Sequence, residues 1–149
     1  MRLRRIGTIL STVALTMLTV PAGDAHATAI ACGGGASTGR VAVNGCISAE
    51  RHSVEGVPYR EVTAHVKLRN TSTRALTVSY EAFWLYDGST WRKIGSGRTN
   101  VAPGATVGPV EVGSKSLICG GKAQIRVHAQ AAGAAWSGWS PAATSQCQT

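Results

Sequence analysis

The chain has 149 residues, 44% of them apolar and 5% aromatic, and a formal charge of +8. That length suits one domain around a single core. The positive balance favours anionic surfaces. Its cations are scattered, however, with no run of five or six, so the pattern is a solvated basic surface with no sign of specific nucleic-acid recognition.

Residues 1–27 have the layout of a secretory signal peptide. Arg2, Arg4 and Arg5 form the positive start, residues 6–20 are the apolar stretch, and Ala25-His26-Ala27 is the small-x-small cleavage pattern. The apolar stretch is short and is soon followed by Pro21 and Gly23, which argues against a membrane span. Cleavage near Ala27 gives a secreted, extracellular protein with no transmembrane segment. Three arginines and Asp24 leave with the leader, so the charge falls from +8 to +6 over the remaining 122 residues. Lipidation at Cys32 fits poorly, because residues 21–28 separate it from the apolar stretch and an odd thiol would remain. Arg4-Arg5 lacks the residues that usually follow a twin-arginine signal, so the general secretory route is expected.

Residues 28–39 are small and flexible in composition and read as an N-terminal arm. The triplet Gly33-Gly34-Gly35 is not a phosphate loop, since neither Lys-Ser/Thr nor a helical pattern follows it. From residue 40 the chain alternates between strands and turns. A first strand is expected over 40–49. Over 59–70, Val62, Ala64, Val66 and Leu68 alternate with Glu61, Thr63, His65, Lys67 and Arg69, the period of a half-buried strand. The next strand, 75–86, ends in Phe83-Trp84-Leu85-Tyr86, apolar on both faces and expected at the centre of the core. Asp87-Gly88 signals a hairpin. Further strands are expected over 90–94, over 106–112 with an edge or break at Pro109, over 122–130, and over 136–144. Seven or so short strands and no amphipathic helix give an all-β fold, a single immunoglobulin/fibronectin-like antiparallel β-sandwich spanning 40–149.

Four cysteines, Cys32, Cys46, Cys119 and Cys147, fall in the mature part. An even count in a short exported chain indicates two disulfides, with three possible pairings. Nearest-neighbour pairing favours Cys32–Cys46 and Cys119–Cys147, each stabilising by about 3 kcal/mol through loop closure. No C-x2-C spacing supports a zinc site, and neither metal nor cofactor is expected.

Two strings carry resemblances. Phe83-Trp84-Leu85-Tyr86-Asp87, set between the turn at Asn70-Thr71-Ser72 and the turn at Pro103-Gly104, resembles the motif of the FxLYD family of immunoglobulin-like domains in exported bacterial proteins. The resemblance covers residues 60–112 and implies an accessory module with no catalytic residues. Trp136-Ser137-Gly138-Trp139-Ser140, preceded by Arg126-Val127-His128, is similar to the Trp-Ser-x-Trp-Ser signature of fibronectin-like cytokine-receptor domains. That resemblance implies a stack of Arg126 with Trp136 or Trp139, with His128 standing where the family places a second arginine. A surface cation–π contact of this kind contributes about 0.5–1 kcal/mol.

Catalytic groups do not converge in the sequence. His65 and His128 sit on outward faces, and the acids form no tight pair. Glu50 and Glu55 flank His52, where a charged loop is the simpler reading than a metal site. Asn70-Thr71-Ser72 fits a glycosylation sequon in a host able to use one. Trp91-Arg92-Lys93, beside the Asp87-Gly88 turn, is an aromatic next to two cations and the preferred contact patch. The expected function is therefore a secreted, non-catalytic binding or accessory module whose partner is an anionic cell-wall polymer, a glycan or another secreted protein. The alternatives are a hydrolase inhibitor, presenting a loop near 32–39 or 113–121, and a small hydrolase.

Overall fold

A computed structural model describes residues 29–88 and 90–146. The expected signal peptide and Cys147 lie outside the described residues. Eight strands occur among these residues: β1 (Ala31–Ser37), β2 (Val41–Val54), β3 (Val57–Asn70), β4 (Leu76–Tyr86), β5 (Arg92–Val101), β6 (Thr106–Ile118), β7 (Lys122–Ala131) and β8 (Ala143–Gln146). They form two antiparallel sheets of four strands, in the orders β1-β2-β3-β6 and β5-β4-β7-β8. The fold is the expected all-β sandwich, with no helix among the described residues.

The core follows the period-two alternation. Val41, Val43 and Ile47 of β2 face Ala123, Ile125, Val127 and Ala129 of β7 across the sandwich, and Val62, Ala64, Val66 and Leu68 of β3 join the same cluster. The centre is made of small and β-branched side chains, which suit a pleated buried surface. Phe83, Trp84, Leu85 and Tyr86 are only half-buried, so the aromatic string is not the centre of the core. Val78, Tyr80 and Ala82 supply β4's fully packed positions instead.

β2 runs past the expected end at residue 49 because Glu55 and Gly56 close a two-residue hairpin onto β3. Val54 pairs with Val57, and φ is 51° at Glu55 and 80° at Gly56. Two successive left-handed residues define the primed turn that matches strand twist. β6 also runs on, passing through Pro109, which an edge strand tolerates because its outer N–H positions need no partner.

The segment expected as a flexible arm contains β1, an edge strand paired with β2. Its glycines allow the close approach this needs: a Cβ on Gly33 would lie 2.6 Å from the Pro141 carbonyl oxygen. At the opposite edge of the sandwich, Gly95 of β5 lies against the Val112 carbonyl, and a Cβ on Gly113 of β6 would lie 2.7 Å from the Ile94 oxygen. Glycine thus brings the backbones of the two sheets together at both lateral edges.

Cys32 and Cys46 are register partners in β1 and β2 and are joined by a disulfide. Cys119 is also disulfide-bonded; its expected partner, Cys147, lies outside the described residues.

Three polar residues lie deeper than expected. Arg60, counted among the scattered cations, is the largest fully buried side chain; it donates to the Gly121 carbonyl and, at 3.5 Å, to Ser145 Oγ. Asn70, the sequon residue, is wholly buried. Its amide donates to the Arg74 and Val101 carbonyls, and its oxygen accepts from Ser72, so it anchors the turn in the folded protein. His65 points outward yet is 9% exposed, sharing a 2.8 Å hydrogen bond with Ser48.

Candidate binding face

The outer face of the second sheet carries a continuous stack of planar groups. β4 and β7 are register partners, with Glu81 opposite His128 and Phe83 opposite Arg126. All four project away from the core, because the inward positions of these strands belong to Tyr80, Ala82, Val127 and Ala129. Onto this row the C-terminal segment lays two tryptophans.

Residues 136–142, expected as part of a strand, are not one. An extended strand would put Trp136 and Trp139 on opposite faces. Instead the segment repeats every three residues along the edge of β7. Ser137 N–H donates to the Ala129 carbonyl at 2.8 Å, and Ser140 N–H donates to the Val127 carbonyl at 2.8 Å. The serine hydroxyls accept the reciprocal bonds from Ala129 N–H at 3.1 Å and Val127 N–H at 3.0 Å. Two side chains therefore complete a ladder that a strand would have completed with carbonyls, and β7's edge is satisfied. Gly45 of β2 makes room for this, since a Cβ there would lie 2.9 Å from Ser140 Oγ. With both serines turned inward, both indoles emerge on the outer face.

The resulting order is Trp136, His128, Trp139, Arg126, Trp91. His128 stacks on Trp136 at 4.2 Å and on Trp139 at 4.0 Å, near parallel in each case. Two rings so close and parallel must occupy opposite faces of the imidazole. The Arg126 guanidinium lies 4.1 Å from the Trp139 centroid and 4.3 Å from that of Trp91. Both faces of Trp139 are thereby occupied. Phe83 supports the stack edge-on, 5.0 Å from Trp139. Burial between the indoles lowers the Arg126 pKa, leaving a guanidinium that is still charged.

Glu81 clamps the middle rung, accepting from Lys93 Nζ at 2.7 Å and from His128 Nε2 at 3.1 Å. The Lys93 hydrogen bond first, and that of His128 second, hold its carboxyl below the ordinary glutamate value.

The preferred patch Trp91-Arg92-Lys93 is divided by this arrangement. Trp91 is the terminal rung, Lys93 is paired with Glu81, and Arg92 remains exposed. Arg126 and Trp139 are brought together, whereas Trp136 meets His128 rather than Arg126. His128, expected as a solvated outward residue, is the rung that joins the two indoles, and Trp91 and Glu81 complete the set. Strand alternation puts Arg126 and His128 on one outer face, but only the register of β4 against β7 brings Glu81 beside them.

Elsewhere, His52 stacks on Tyr59 at 5.8 Å. No cluster of three potential metal ligands occurs among the described residues. No protein-family model matches the chain, and no curated protein shows significant similarity to it.

Proposed function

We propose that the protein is a secreted, non-catalytic binding or accessory module working at the cell envelope or outside the cell, with the outer face of β5-β4-β7 as its contact surface. The observation that carries this reading is the stack itself. Trp136 and Trp139 are 40% and 39% exposed, yet both are held rigid by planar neighbours on the same face. Pre-ordered aromatic surface beside cations is what a binding site needs, because little side-chain freedom is lost on contact. The export leader and the paired cysteines support an extracellular setting. Resemblance of Phe83 to Asp87 to the FxLYD motif supports an accessory role.

The titratable groups of this face are engaged with one another: Glu81 bonds Lys93 and His128, and Arg126 stacks between indoles. The segments considered for an inhibitory loop lie in β1 and β6 or the turn that follows, where Arg60 binds Gly121.

Co-sedimentation with purified cell-wall polymer tests the reading. The protein is retained on the polymer, and Trp136→Ala weakens retention by about tenfold, the loss of one good contact worth roughly 1.4 kcal/mol. Failure of the unaltered protein to bind wall, glycan or anionic polymer overturns it.

A further inference from the structure

We infer that the ladder ends in a subsite for an acidic saccharide, with a sugar ring on the open face of Trp136 and its carboxylate on Arg98; this rests on the binding reading above. Trp136 is the rung at the end opposite Trp91. His128 covers one of its faces, and the indole borders a shallow depression lined also by Ser79, Ser96, Gly97 and Arg98. A second depression, reaching Gln130 and Gly133, shares Ser79 and Arg98 with the first, so the two form one groove across the outer strands.

The chemistry of the groove is specific in three respects. Arg98 is exposed, and its Nε donates to Ser79 Oγ at 3.3 Å, which orients the guanidinium and leaves its terminal nitrogens as a fork suited to a carboxylate. Glu81, the acid bordering the groove, is already ion-paired with Lys93 and hydrogen-bonded to His128. Hydroxyls of Ser79 and Ser96 and the amide of Gln130 offer the mixed donors and acceptors that sugar hydroxyls require. An indole face adds the apolar platform for a pyranose ring. A ring plus a carboxylate satisfies both ends. A phosphodiester chain without a sugar ring uses Arg98 alone.

Titration of the disulfide-bonded protein with tri-galacturonate, followed by tryptophan fluorescence and indole N–H resonances, tests this. Saturable binding is expected, with the Trp136 resonance shifted most, and affinity falling at least tenfold for the methyl-esterified sugar and for Arg98→Ala. Arg98 is exposed, so this variant keeps the fold and the comparison stays interpretable. Trp136→Phe retains part of the affinity by keeping an aromatic platform. Equal affinity for the methyl ester, unchanged binding by Arg98→Ala, or stronger binding to a glycerol-phosphate oligomer overturns the subsite. If wall-polymer retention survives these results, the broader reading stands without it; if retention is also absent, both fall.

Discussion

Trp136 and Trp139 expose almost the same fraction of their surface, 40% and 39%, so burial alone predicts equal costs for removing them. The stack predicts otherwise. Trp139 has His128 on one face, Arg126 on the other and Phe83 at its edge, whereas His128 is the ring partner that Trp136 shows. With an aromatic pair contributing about 0.5–1.5 kcal/mol and a partly desolvated cation–π contact about 1–2 kcal/mol, Trp139→Ala is expected to cost roughly 2–4 kcal/mol and Trp136→Ala roughly 1 kcal/mol. Urea unfolding of the two variants checks the order, and equal losses would contradict the stack.

Acid acts through two residues with shifts of the same sign. Burial pushes His65 below its ordinary value of 6.5, outweighing the opposite pull of Glu111. The unfolded chain then takes up the proton more readily, so this contribution is complete above pH 6.5 and is lost as the pH falls towards the lower folded value. Glu81, held below 4.5 by Lys93 and then His128, contributes fully above that pH and fades as the pH falls through its folded value. Thermal melts from neutral to acid pH should therefore show two successive declines, and His65→Gln should remove the upper one alone. An unchanged upper decline in that variant would assign it to another group. The outward direction of His65 was legible from alternation, but its covering was not, because hydrogen bonding to Ser48 depends on the pairing of β2 with β3. Arg60 departs from the expected solvated basic surface for a related reason. It lies on the inward face with Val62 and Ala64, and a guanidinium at such a position is indistinguishable by period from an edge residue reaching solvent.

At the scale of elements, strand positions were readable wherever one face is apolar and the other polar, as in β3 and β7. Two elements were not. β1 is an edge strand whose central Gly33-Gly34-Gly35 offers no side chains to alternate, and Gly33 permits its close contact with Pro141. The Trp-Ser-Gly-Trp-Ser segment has a three-residue repeat that supports neither a helix nor a strand, and its conformation is set by two serine hydroxyls bonding β7. The lateral edges give a direct test of glycine's role. A side chain at Gly95 meets the Val112 backbone, which cannot yield as a flexible side chain can. Gly95→Val is expected to cost about 1–3 kcal/mol from overpacking, or more where the edge opens. Gly138→Ala, with nothing within 4 Å of its new methyl, should stay within about 0.5 kcal/mol of the parent. Denaturant midpoints for both variants check the contrast, and similar midpoints would show that the edges are loosely packed.

For the whole molecule, the division of labour between the two sheets is the main consequence of the fold. The first sheet carries the Cys32–Cys46 bridge and the long β2–β3 hairpin; the second carries the ladder, the Glu81 clamp and the Arg98 groove on its outer face. The sandwich class was legible from strand period and turn chemistry, whereas the ladder depended on a cross-strand register and a non-strand segment. The most direct measurement of the proposed role is a hydrogen–deuterium exchange footprint of the protein on cell-envelope polymer. Protection should increase in residues 91–98 and 136–140, with the β2–β3 hairpin tip at Glu55-Gly56 unaffected. Protection confined to that hairpin or to the outer face of the first sheet would contradict the assignment of the tryptophan face as the contact surface.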